Sequence, residues 1–324
     1  MNALITAFDA VLPLFLIILT GLLFSRAKMA SDQWVEVLNR FALWIGFPAL
    51  VITLLARVDL SGGHYNRMML INSVYFILCT LLAFPYSRLF HFSPLRRQTL
   101  FLILAYGNVT YLGIPVLQTV LGEGALPAGG LLSAVYVFWL LTLGLLLVET
   151  GGEEPFHPRH LALKLLTNPL LLSVIVGLFL AITGLRLPGI LTRSLTMLSQ
   201  SVTPVVLFSL GIFMGFQKIG PLREWGQVAL FSLVIMLLLP GLFYLVAAKT
   251  GGLEGVDLQA SILEAAMPVG LTPYALSQQY RLDTSFTARV VLLSTSLSLL
   301  FLPLWIVILG YIMGVFCPLF CEIM

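Results

Sequence analysis

Apolar residues run along this chain in long blocks. Each is close to the roughly 20 residues that a helix needs to cross the ~30 Å hydrocarbon core of a bilayer. The blocks predict ten spanning helices, at about 4–25, 34–56, 68–89, 99–121, 127–148, 168–185, 191–216, 226–248, 258–279 and 287–314. Charged residues gather in the connections: Arg26 and Lys28, Arg57 to Arg67, Arg88 to Arg97, Glu149 to Lys164, Lys218 to Glu224, and Lys249 to Asp257. Hydrocarbon offers no water to bare backbone groups, so a spanning segment must pair them internally, as a helix does. The expected fold class is an all-α, multi-pass membrane protein.

Composition agrees with that pattern. Of 324 residues, 59% are hydrophobic and 10% charged, against about 45–50% and about 25% in average soluble chains. So few charges cannot cover a soluble surface, which excludes a soluble enzyme, a nucleic-acid binder and a disordered chain. No Lys or Arg precedes the first apolar block, and that block is long enough to span, so no cleavable signal is expected. Cys79, Cys317 and Cys321 are too few for a disulfide framework, and the last two read as small apolar residues at a helix end. The histidines, His64, His91, His157 and His160, fall in connections, and no metal site or cofactor is expected. With no catalytic constellation and no phosphate-binding loop, the chain is not expected to be an enzyme. Energy would come from a gradient or another subunit.

Lys and Arg number 17 in all. Connections after the odd-numbered spans hold Arg26, Lys28, Arg88, Arg96, Arg97, Arg159, Lys164, Lys218, Arg223, Arg281 and Arg289. The opposite side holds Arg57, Arg67, Arg186, Arg193 and Lys249, while Arg40 lies early in the second span. The positive-inside bias puts the richer side in the cytoplasm and both termini outside it, in the cell (inner) membrane.

The two halves share features at an offset of 156 or 157 residues: Pro13 and Pro169, Gly21 and Gly177, Pro48 and Pro204, Gly113 and Gly270. Five spans per half force the second half to be inverted, an architecture of transporters. The expected division is 1–150 and 151–324.

The fourth and ninth spans carry the chemistry. The fourth contains Asn108, Thr110, Tyr111, Gly113 and Pro115; the ninth contains Met267, Pro268, Gly270, Thr272 and Pro273. Proline and glycine interrupt helices, and an unwound stretch at membrane depth must line a cavity or lie within protein. The half-helix ends present N–H groups and positive dipole to an anion. These ten residues are the candidate substrate-binding set, against the plainer reading of two proline kinks. Asn108 can donate to a carboxylate or bond across helices as packing glue. Glu264 is the acidic residue well inside a predicted span. It is either a proton-coupling group or a side chain near the interface that snorkels or pairs with a base. Pro48 and Pro204 either face the cavity or bend their helices.

Asn108-Val-Thr-Tyr-Leu-Gly-Ile-Pro-Val-Leu117 and Ala266-Met-Pro-Val-Gly-Leu-Thr-Pro-Tyr-Ala275, with Asn168-Pro169 and Leu207-Phe-Ser-Leu-Gly-Ile-Phe-Met214, resemble helices of the auxin efflux carrier family in order along the chain. That family includes plant auxin carriers and bacterial malonate-type carriers. The resemblance implies ten helices in two inverted repeats, with helices 4 and 9 broken and crossing beside a substrate carboxylate. It also implies a scaffold of about 4–56 and 168–216, a transport domain of about 68–148 and 226–314, an elevator motion and a homodimer in lipid. By position, Asn108, Pro115, Pro268 and Pro273 would be crossover residues. The chain departs from plant members in lacking a long hydrophilic loop, and in carrying Glu264 where they look to have a neutral polar residue.

Three functions fit in descending order: a carrier of small organic anions (mono- or dicarboxylates); a proton- or sodium-coupled carrier of another substrate on the same architecture; and a non-transporting membrane sensor or intramembrane enzyme. The third leaves the repeat unexplained.

Overall fold

The computed structural model describes residues 2–58, 63–151, 158–217, 221–248 and 252–313. Cys317, Cys321 and His157 lie outside the described residues, as does the side chain of His160. Among the described residues every regular element is helical. Among the described residues seven helices are long and apolar enough to cross a membrane, and two shorter apolar helices cover Val109–Leu121 and Pro169–Thr183. The protein is a multi-pass membrane protein.

In chain order, α1 is Asn2–Arg26, and α2 (Asp32–Phe41) continues through a π-turn into α3 (Phe47–Leu55). Next come α4 (His64–Leu81), α5 (Ala83–Leu89), α6 (Pro94–Ile103), α7 (Ile114–Leu121), α8 (Leu126–Trp139) and α9 (Leu145–Thr150). They are followed by α10 (Pro158–Leu166), α11 (Pro169–Thr183) and α12 (Gly189–Phe216). The last are α13 (Leu222–Leu233), α14 (Leu239–Val246), α15 (Gly255–Ala265), α16 (Leu271–Gln279) and α17 (Thr284–Met313).

Against the ten expected spans, seven helices among the described residues have spanning length, and two local features also differ from expectation. Part of the predicted connection 149–165 is helix α10, started by Pro158, whose fixed φ suits a first helical position. It stops before Pro169, and the Asn168 side chain accepts from the Leu170 N–H at 2.9 Å to cap α11. The predicted sixth span shortens to the 15 residues of α11, which ends at Gly184 in the left-handed region (φ 65°).

Three prolines share one device. Pro48, Pro115 and Pro240 each follow, by two residues, a five-residue π-turn: Ala42–Gly46, Val109–Gly113 and Val234–Leu238. A proline ring clashes with the carbonyl four residues back, here that of Trp44, Tyr111 or Met236. Each of those carbonyls lies inside a π-turn, where the wider helix opens room for the ring. Pro13 and Pro204 stand within uninterrupted α-helix instead. Pro204 is exposed, so it does not face a buried cavity.

Lipid supplies no hydrophobic drive between helices, so close packing and small residues set their contacts. Gly21 and Ser25 on α1 face Gly211 and Gly215 on α12: a methyl at Gly21 would strike the Phe208 carbonyl oxygen, and one at Gly211 that of Ile18. A Cβ at Gly177 of α11 would come within 2.8 Å of Leu55 in α3, and one at Gly46 within 2.6 Å of Val202 in α12. α1, α3, α11 and α12 thus pack together, α15 packs on α4, α8, α14 and α17, and the two sets meet where α1 packs on α17 and α8 on α3 and α11.

Asp283 ties the start of α17 to α6. Its Oδ2 accepts from Arg96 Nε at 2.8 Å, and its Oδ1 accepts from the Phe286 N–H at 2.9 Å, capping α17. Its own N–H donates to Thr99 Oγ1 at 3.1 Å. The Arg96 guanidinium lies 5.2 Å from the Phe92 ring centroid and 4.9 Å from that of Phe286. Asp283→Ala is expected to cost about 2–3 kcal/mol, a cap and a charged hydrogen bond together. Asp283→Asn should recover part of it by keeping the cap. Thermal denaturation in detergent tests the ranking; equal midpoints for wild type and Asp283→Ala would refute it.

Candidate functional site: two broken helices that cross

The fourth and ninth apolar blocks are each two helices with extended chain between. α6 ends at Ile103, and helix resumes at Val109; α15 ends at Ala265, and helix resumes at Leu271. Pro268 brings no N–H to its break. Gly107 and Val269 form an isolated antiparallel bridge, and the Asn108 N–H donates to the Pro268 carbonyl at 2.6 Å. Ser294 of α17 accepts from the Val269 N–H at 3.2 Å. The two breaks therefore satisfy one another's main chain, as buried backbone requires. Gly107 is needed for the approach, because a Cβ there would come within 2.8 Å of the Met267 carbonyl oxygen.

Each helix restarts two residues after its bridging residue. Neither restart has a side-chain cap, at Asn108 or at Gly270. The Asn108 carbonyl accepts from Leu112 and Gly113 at 3.2 and 3.0 Å, while its side chain is left for other work. Two uncapped helix N-termini beside one main-chain bridge give a local excess of N–H donors and positive dipole.

Asn108, Met267, Pro268 and Gly270 are brought together at the crossing, with Gly270 packed against Asn108 and leaving room a side chain would fill. Thr272 lies near Tyr106. The other candidates diverge. Tyr111 packs edge-to-face on Phe47 of α3, with centroids 5.7 Å apart. Pro115 is partly exposed and accounts for the π-turn. Thr110 is buried without a hydroxyl partner. Pro273 sits in the first turn of α16, where its missing N–H costs nothing, and its carbonyl accepts from Ser277 at 2.8 Å.

Gly113 faces Glu264. A methyl there would overlap the Glu264 carboxylate, so glycine makes the space that the carboxylate occupies. Glu264 is 1% exposed, and neither oxygen has a hydrogen-bond partner. This rules out the expected alternative of a side chain snorkelling to the interface. Among the described residues no Lys, Arg or His pairs with it.

Tyr106, Gly107, Val269 and Ser294 belong to the crossing and are absent from the candidate set. Ser294 had a signal: the run Ser294-Thr295-Ser296-Leu297-Ser298 places hydroxyls in an apolar block. A second polar cluster adjoins α15: Asn72 donates to Ser261 Oγ at 2.9 Å, and Tyr136 donates to Asn72 Oδ1 at 3.4 Å. Beside the bridge, Tyr75, Tyr106, Met267, Val269 and Ile235 line a cavity of ≈ 10 Å³, about one water in size. Among the described residues no group of His, Cys, Asp and Glu could hold a metal ion.

Comparison with known proteins places the chain among membrane transport proteins. Residues 6–306 match a family described as membrane transport protein. The chain is 26% identical over 308 residues to an uncharacterized transporter of Methanothermobacter thermautotrophicus, covering 93% of this chain and 98% of that one. It is 25% identical over 301 residues to a Rhizobium meliloti protein named "Putative malonate transporter", covering 89% and 91%. It is 30% identical over 152 residues to auxin efflux carrier component 3 of Arabidopsis thaliana, covering 45% of this chain and 23% of that one.

Proposed function

The chain belongs to the membrane transport protein family, that of the auxin efflux carriers, and on that premise we propose that it is a secondary carrier of small organic anions, mono- or dicarboxylates. One observation carries the reading: two broken helices pair through their main chains, and both restart uncapped beside the Asn108 amide. Uncapped N-termini and an amide donor suit a carboxylate and disfavour a cation. The relative named for malonate supports the same class of substrate.

Transport follows from alternating access. Asn108 and Gly270 are buried at the crossing, so a carboxylate reaches them only when the surrounding helices part. In the arrangement we propose, ten helices form two inverted repeats, 1–150 and 151–324. A scaffold of about 4–56 and 168–216 carries a transport domain of about 68–148 and 226–314 that moves as an elevator. The protein works as a homodimer in the lipid of the inner membrane, with both termini outside the cytoplasm. A cation exchanger would want a second carboxylate beside Glu264, and Glu264 is the sole buried acidic residue among those described.

The test is exchange in proteoliposomes. Purified protein should exchange labelled malonate, malate or acetate across the bilayer, and at least one of these acids should raise its melting temperature. Absence of exchange and of stabilisation with all three would overturn the organic-anion reading.

A further inference from the structure

We propose that Glu264 couples transport to protons: it holds a proton while an organic anion occupies the crossing and releases it when the anion leaves, so that one proton travels with each anion. The proposal rests on the organic-anion reading above.

Glu264 lies on α15 two residues before the break, and its carboxyl rests on the main chain of the other broken helix at Gly113. Gly113 belongs to the π-turn that Asn108 opens, and its N–H is bonded to the Asn108 carbonyl at 3.0 Å. The carboxyl therefore touches the same short turn whose uncapped start faces the anion site. In this closed arrangement, with 1% exposure and no partner for either oxygen, it has neither water nor counter-charge to support an ionised form, so it ionises only when the helices part to release the anion and water reaches it. Two negative charges beside one another, in a site of low dielectric, repel strongly. The neutral acid is compatible with an anion nearby; the carboxylate is not.

The surroundings keep this a one-group titration. Tyr106 from the first break and Tyr136 from α8 are the titratable side chains that face Glu264. From α4, Tyr75 and Cys79 reach Tyr136 rather than Glu264. Among the described residues α7, α14 and α17 bring it no charged partner. Asn72 and Ser261 hold Tyr136 from behind.

Linkage fixes the sign. Anion binding that requires a proton weakens as pH rises, with Kd increasing by up to about tenfold per pH unit. In proteoliposomes the wild type should accumulate labelled malonate, malate or acetate when the lumen is made alkaline, and malonate binding should take up one proton, seen in titrations repeated in buffers of different ionisation enthalpy. E264Q, a neutral near-isostere, should lower the ratio of pH-driven accumulation to equal-pH exchange at least about tenfold and flatten the dependence of Kd on pH. Gly113→Ala, which displaces the carboxyl, should lower the ratio too. Exchange by wild type with no proton taken up, or accumulation by E264Q equal to wild type, would overturn the coupling role and leave the carrier reading intact. Absence of exchange of all three acids by wild type would remove both.

Discussion

Asn108→Ala is expected to weaken binding of a carboxylate roughly ten- to hundredfold, the loss of a charge-assisted hydrogen bond of about 1.5–3 kcal/mol. The fold should survive. The bond that holds the crossing comes from the Asn108 main chain, which alanine retains, and the side chain makes no cap bond to lose. Titration with malonate, set beside thermal denaturation of the same sample, separates the two effects. Unchanged affinity and uptake in a folded mutant would remove Asn108 from the site.

Gly211→Ala should give the largest loss of stability, about 3 kcal/mol or more. Overpacked sites usually cost about 1–3 kcal/mol when side chains can yield. Here the added methyl meets the carbonyl oxygen of Ile18 and the backbone of Leu22, so the whole of α1 must shift. Gly189→Ala, on the same α12, has open space around the new methyl and serves as the control. Denaturation midpoints of the two variants in detergent should differ by many degrees; coincident midpoints would contradict the α1–α12 contact.

The apolar blocks were legible because depth in a membrane demands length and hydrophobicity together: among the described residues seven of the ten fall on helices long enough to span, and the fourth and sixth on shorter apolar helices. The sixth is short because Asn168 caps and Gly184 terminates it, local chemistry that hydropathy does not weigh. α10 was hidden among charges: Arg159, His160 and Lys164 resemble a connection, although Leu161 is buried. At the crossing, Pro268 and Gly270 announced the break. Which residues bridge it depended on main-chain geometry, and periodicity is blind to that. Gly113 illustrates the limit. Its place beside Pro115 suggested a kink, whereas its role is to clear space for a carboxyl on a helix some 150 residues away in sequence.

The main-chain bridge has a consequence for how such a protein can diversify. Gly107, Val269, Asn108 and Pro268 join through amide and carbonyl groups that, except at Gly107, where a side chain would collide, do not depend on residue type. The side chain at 108 can therefore be exchanged without breaking the main-chain bonds of the junction. On the proposed carrier reading, cargo preference becomes an evolvable trait decoupled from architecture, tuned through single substitutions that are each tried on an intact frame.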